Sequence, residues 1–266
     1  MSAAVRALLF KEMREGRWKY LVAAVVLIAL GASIPLTYDY VRDMMEQLMG
    51  DYVLPPFVQE LMPPELLEMP TALWSDMSTY LWANWHTKNL YQTMVIIALV
   101  FGSVTVAGEF SRGTAQFLFS RAVPRKSVVR VKAAVDLAGM AAAALLGTVA
   151  LDVGARAVHG FAVPGAFYAA LAPAVAGAAF VYGLALVWST KIDDPIKAAA
   201  AAAVTAALLS VPSFVPSWRS WSVYVHMTGQ TFLEDGTFPW TAVLIMAVLA
   251  AGLVVAAGES LKRRDI

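Results

Sequence analysis

Cysteine is absent from the 266 residues, which excludes disulfides, thiolate metal sites and a thiol nucleophile. Charge is scarce as well. Asp, Glu, Lys and Arg make up 15% of the chain, against roughly a quarter in soluble domains. The two signs nearly cancel at a formal +1, and that balance excludes a strongly basic nucleic-acid binder. No glycine is followed by lysine, so the Gly-Lys-Ser/Thr phosphate loop of a chain that hydrolyses ATP itself is missing. His-Glu-x-x-His and Gly-x-Ser-x-Gly are missing too. The three histidines, His86, His159 and His226, stand far apart in segments that read as outer loops, where interfacial or surface positions account for them. The sequence therefore points to no catalytic residue and no metal site.

What the chain has in abundance is apolar length. Hydrophobic residues fill 59% of it and the mean hydropathy is +0.64. They gather into runs of about 17–24 residues, the length a helix rising ~1.5 Å per residue needs to cross ~30 Å of hydrocarbon. The spacing predicts an all-α integral membrane protein forming one domain over 1–266, with spans near 20–37, 90–107, 133–155, 166–189, 198–211 and 239–257. The fifth is the least apolar, because it opens on a run of alanines and ends near Pro212.

Basic residues set the expected orientation, since short Lys/Arg-rich loops stay in the cytoplasm. Arg6, Lys11, Arg14, Arg17 and Lys19 precede the first span; Arg112, Arg121, Arg125, Lys126, Arg130 and Lys132 lie between the second and third. Lys191 and Lys197 follow the fourth, and Lys262, Arg263 and Arg264 follow the sixth. Six spans put all of these on one side, so a multi-pass plasma-membrane protein with both termini in the cytoplasm is expected. Residues 1–19 read as a basic amphipathic helix lying in the interface. The long segment 38–88 carries Asp39, Asp43, Glu46, Asp51, Glu60, Glu65, Glu68 and Asp76 and should face outward, with short amphipathic helices broken by Pro55, Pro56, Pro63, Pro64 and Pro70. Trp74, Tyr80, Trp82 and Trp85 suit an interfacial aromatic belt.

Ionisable residues inside spans are functional candidates by default, which singles out Asp136 and Asp152. Sixteen residues separate them, about 24 Å along a helix and on nearly opposite faces, so one straight helix cannot bring them to a shared site. Lys132 and Arg156 each lie one turn away and are the expected ion-pair partners. Gly139, Ala143 and Gly147 recur at every fourth position in the third span, and Ala170, Ala174 and Ala178 in the fourth, a spacing that permits close helix approach.

The stretch after the second span, GEFSRGTAQFLFSRAVPRKSVVRVK, is unlike an ordinary loop. Gly113 can end the descending helix and Thr114 can cap a short new one, whose apolar Phe117 and Leu118 then need a membrane surface or a protein groove to cover them. Here the sequence resembles the type-2 permease family of ATP-binding-cassette exporters, in which Glu, Gly-Thr, Leu-Leu, Pro-x-Ser-Arg and a Lys opening the third span follow one another. Glu109, Gly113, Thr114, Phe117, Leu118, Arg125 and Lys132 fall at matching positions, whereas Ala122 stands in the proline's place and Pro124 comes two residues later. FKEMREGRW and the terminal KRRDI also look like the family's ends, with Leu261 where an aromatic is common.

The resemblance implies a six-span permease that pairs with a second permease subunit, identical or not, and presents its short helix to a cytoplasmic ATP-binding subunit. ATP and Mg would be bound by that partner, and this chain would bind no cofactor. Glu109, Arg112, Gly113 and Thr114 would shape the coupling element, Phe117 and Leu118 would dock it, and Arg121 and Arg125 would contact acidic partner surface or lipid. The alternatives are a membrane scaffold without transport activity and a secondary carrier. A carrier would call for mid-membrane carboxylates or duplicated halves, and the sequence displays neither.

Overall fold

The structure, a computed structural model, describes residues 3–50, 76–119, 123–230, 232 and 236–264. No strand occurs among them, and six helices are long and apolar enough to cross a membrane. The chain is an all-α, multi-pass membrane protein.

The first helix, α1, runs unbroken over Ala3–Gly50. At ~1.5 Å per residue it is about 72 Å long, more than twice the ~30 Å hydrocarbon layer. The basic amphipathic segment, the first span and the start of the outer segment are thus one rod, with no turn at Lys19 where the sequence suggests an interfacial helix ending. Pro35 is accommodated inside it. Residues 51–75, with their prolines and Trp74, lie outside the described residues.

The second span also starts earlier than hydropathy suggests. Helix α2 (Met77–Asn84) continues through a π-helical stretch at Trp85–Leu90 into α3 (Tyr91–Ser111). Asp76 caps its start by accepting the Thr79 N–H at 2.7 Å. The tryptophans assigned to an interfacial belt are instead core: Trp82 and Trp85 are fully buried, and the Trp85 indole donates to Thr148 Oγ1 at 3.0 Å. His86, expected at an interfacial or surface position, is also fully buried, tilted against the Trp82 ring and edge-to-face with Phe167. The short helix α4 (Ala115–Phe119) follows, then α5 (Arg125–His159), α6 (Gly165–Ala169), α7 (Leu171–Ser189), α8 (Pro195–Leu208), two 3-10 turns at Val211–Phe214 and Pro216–Trp221, α9 (Val223–Met227) and α10 (Trp240–Lys262).

Packing is organised by small residues. Helix α1 lies along α5, and a Cβ on Gly31 would sit 2.2 Å from the Gly147 carbonyl oxygen, so the two backbones touch with no side chain between them. Gly139 faces the Tyr20 ring in the same seam. The fourfold spacing seen in the third span therefore serves contact within the chain. Helix α3 meets α7 in the same way, at Gly102 against the Tyr182 carbonyl. Helix α8 is peripheral. It starts at Asp194, whose carboxylate accepts the N–H groups of Ile196 and Lys197, with Pro195 at the first helical position. The N–H groups of Lys197 and Ile196 hold that carboxyl below the usual carboxylate range. Its one buried stripe is Ala198, Ala202 and Ala206.

Candidate functional site

The candidate site grows from the end of α3. Gly113 adopts a left-handed conformation with φ of 71°; the Gly113 N–H donates to Phe110 O at 3.0 Å and the Thr114 N–H to Glu109 O at 2.9 Å. This pair of bonds is the Schellman stop, which favours glycine because a Cβ resists positive φ. The Thr114 hydroxyl turns back to the Glu109 carbonyl and carboxylate. It locks the stop, and the Thr114 carbonyl accepts the Leu118 N–H at 3.0 Å to begin the following helix. The five-residue α4 then projects past the span with its two apolar anchors divided: Phe117 is 67% exposed and Leu118 4%. Leu118 packs into the chain's own core and cannot serve as a docking anchor, which corrects the expectation for that residue.

Glu109 is buried at the centre of an ion cluster. Its carboxylate accepts from Lys132 at 2.8 Å and from Arg112 at 3.3 Å. Lys132, buried on α5, donates equally to Glu12 on α1 at 2.8 Å. One lysine therefore ties together three helices, α1, α3 and α5. Lys132 is accordingly not the partner of Asp136. One turn further into the bundle, Asp136 pairs with Lys19 at 2.5 Å and accepts the hydroxyls of Tyr20 at 2.6 Å and of Thr105 and Tyr182 at 3.0 Å each. The spacing rule points to the residue one turn away on the same helix; the long cationic arms of α1 reach across and compete successfully. Asp152, near the opposite end of α5, does pair with Arg156 at 2.9 Å and also accepts the Val163 N–H and the Tyr168 hydroxyl.

The two carboxylate clusters on α1, α3 and α5 border one cavity of about 440 Å³ that opens beside α4. Its wall carries Glu12, Glu15, Glu109 and Asp136 against Lys11, Lys19, Arg112 and Lys132, four charges of each sign. Neither Glu12 nor Lys19 can be recognised as part of a site from the sequence, because each lies in a basic terminal segment that topology alone explains. Among the described residues no group of three His, Asp or Glu side chains is placed to hold a metal ion.

No protein-family model matches the chain, and no curated protein matches it.

The remaining basic residues fasten the chain's end to this site. Arg125 donates to the carbonyls of Leu261 at 3.3 Å and Arg264 at 2.7 Å, closing the last turn of α10. Arg125 thus makes an internal contact and remains half-buried. Lys126 pairs with Glu259, and Arg264 with Asp193 and with Thr190 O at 2.9 Å. Arg264 also lies 4.1 Å over the Phe110 ring, next to Glu109 in α3. Arg121 lies outside the described residues.

Proposed function

We propose that the chain is the membrane-spanning permease subunit of an ATP-binding-cassette transporter, an exporter, working with a second permease subunit and powered by a separate cytoplasmic ATPase that binds ATP and Mg. The observation that carries this reading is the lever beside α3: a short helix with an outward Phe117, locked by Gly113 and Thr114 to Glu109, which is ion-paired to α1 and α5 through Lys132. A push on α4 would reach three spanning helices at once. Charged groups buried among packed helices move between discrete arrangements more readily than they deform, which suits an alternating transporter. In this reading the end bearing the termini and the basic residues faces the cytoplasm, where short loops rich in Lys and Arg remain, in the plasma membrane.

The test is co-purification with the candidate ATPase, together with ATP turnover in lipid. Phe117→Asp leaves the permease inserted and folded but unable to retain the ATPase, since losing a central anchor costs on the order of 2 kcal/mol, about thirtyfold in affinity. Leu118→Asp instead fails at the level of folding, because it buries a charge. Equal ATPase recovery and equal turnover for Phe117→Asp and wild type would sink the assignment in favour of a scaffold.

A further inference from the structure

We infer that the alanine-lined groove between α5, α7 and α10 holds the acyl chain of an anionic phospholipid whose headgroup is bound by Arg130. The groove has a volume of about 880 Å³ and runs along α5 from Arg130 to Leu145. The stretch from Arg130 to Leu145 rises about 22 Å along the helix, comparable with one leaflet's ~15 Å of hydrocarbon plus its interface. Its walls are Ala134 and Ala141 from α5, Ala172 and Ala176 from α7, and Ala251 from α10, so the surface is smooth and apolar. An exposed cation at one end of an apolar groove favours a lipid with an anionic headgroup over a helix from another copy.

Charge supplies the second observation. Arg130 stands exposed at one end of the groove and has no ion pair or hydrogen bond among the described residues. Its neighbours differ: Lys126 one turn before it is paired with Glu259, and Lys132 is held by two carboxylates. A guanidinium beside an apolar groove at a membrane interface is matched by a phosphate, which it can meet with two parallel hydrogen bonds. The opposite end is closed by Tyr168, whose hydroxyl is occupied by Asp152, so only the Arg130 end selects a headgroup.

The test uses the full chain reconstituted in nanodiscs of equal phosphatidylglycerol and phosphatidylcholine, extracted in mild detergent, with the retained phospholipid quantified by mass spectrometry. Wild type should retain phosphatidylglycerol over phosphatidylcholine by about fivefold, the equivalent of ~1 kcal/mol for one basic residue at an anionic surface. Arg130→Gln should abolish the preference, whereas Lys191→Gln, which removes a basic residue away from the groove, should keep it. Ala251→Phe and Ala134→Phe, at exposed positions on opposite walls, should each displace retained lipid of both kinds while the chain stays folded. The inference is overturned by an absence of headgroup preference in wild type, by its persistence in Arg130→Gln, or by an equal loss in Lys191→Gln. It is equally overturned if chains carrying Ala176→Cys cross-link to each other, because a second copy then occupies the groove.

Discussion

Replacing Lys132 with methionine removes the cation shared by Glu12 and Glu109 while keeping nearly the same volume. Both carboxylates are buried, at 8% and 4% exposure, and each accepts from the lysine at 2.8 Å. Breaking a buried ion pair by deleting one partner costs about 3–5 kcal/mol, because the orphaned charge stays desolvated. Two charges are orphaned here, but Arg112 remains 3.3 Å from Glu109 and Lys11 3.5 Å from Glu12. The loss should therefore fall near the lower bound, ~3 kcal/mol, on the order of a hundredfold in the folding equilibrium. Denaturing-detergent titration in mixed micelles, read by the fluorescence of the eight tryptophans, measures it. The decisive control is Glu12→Gln/Glu109→Gln/Lys132→Met, which removes all three charges and should return to within about 1 kcal/mol of wild type. A single variant indistinguishable from wild type, or a triple variant no better than the single one, would refute the reasoning that one desolvated lysine joins the three helices.

Asp136→Asn should cost ~2 kcal/mol in the same titration, since it breaks a charge-assisted contact within a fully hydrogen-bonded cluster. Asp152→Asn should cost about 1 kcal/mol or less because Arg156 is largely exposed, and an equal loss at both positions would contradict the difference in burial. Gly31→Ala places a methyl against the Gly147 backbone and should destabilise by ~3 kcal/mol or more. Gly252→Ala meets nothing within 4 Å and should stabilise by roughly 0.5–1 kcal/mol; matching melting temperatures for the two variants would contradict the seam. A lone cysteine at Ser127 should stay unlabelled by an impermeant maleimide in intact cells and react once they are opened, and labelling from outside would reverse the proposed orientation.

Much of the fold is legible in the sequence because lipid imposes a one-dimensional rule: every backbone polar group must be satisfied within its own helix, so apolar run length reports the spans directly. The six spans, the helix stop at Gly113 and the Asp152–Arg156 pair follow from that rule and from local geometry. The tertiary structure alone decided the pairings that cross helices. Lys132 selects Glu12, 120 residues away, and Asp136 selects Lys19 and Tyr20, because the glycine seam brings α1 against α5 and burial then rewards whichever opposite charge is nearest in space. It also separated Phe117 from Leu118, adjacent residues that hydropathy treats alike, since on a short helix successive side chains point about 100° apart and only one of them can face the core. The same reason buried Trp82, Trp85 and His86: which side of a span faces protein and which faces lipid depends on the neighbouring helices, and in a membrane both sides are apolar.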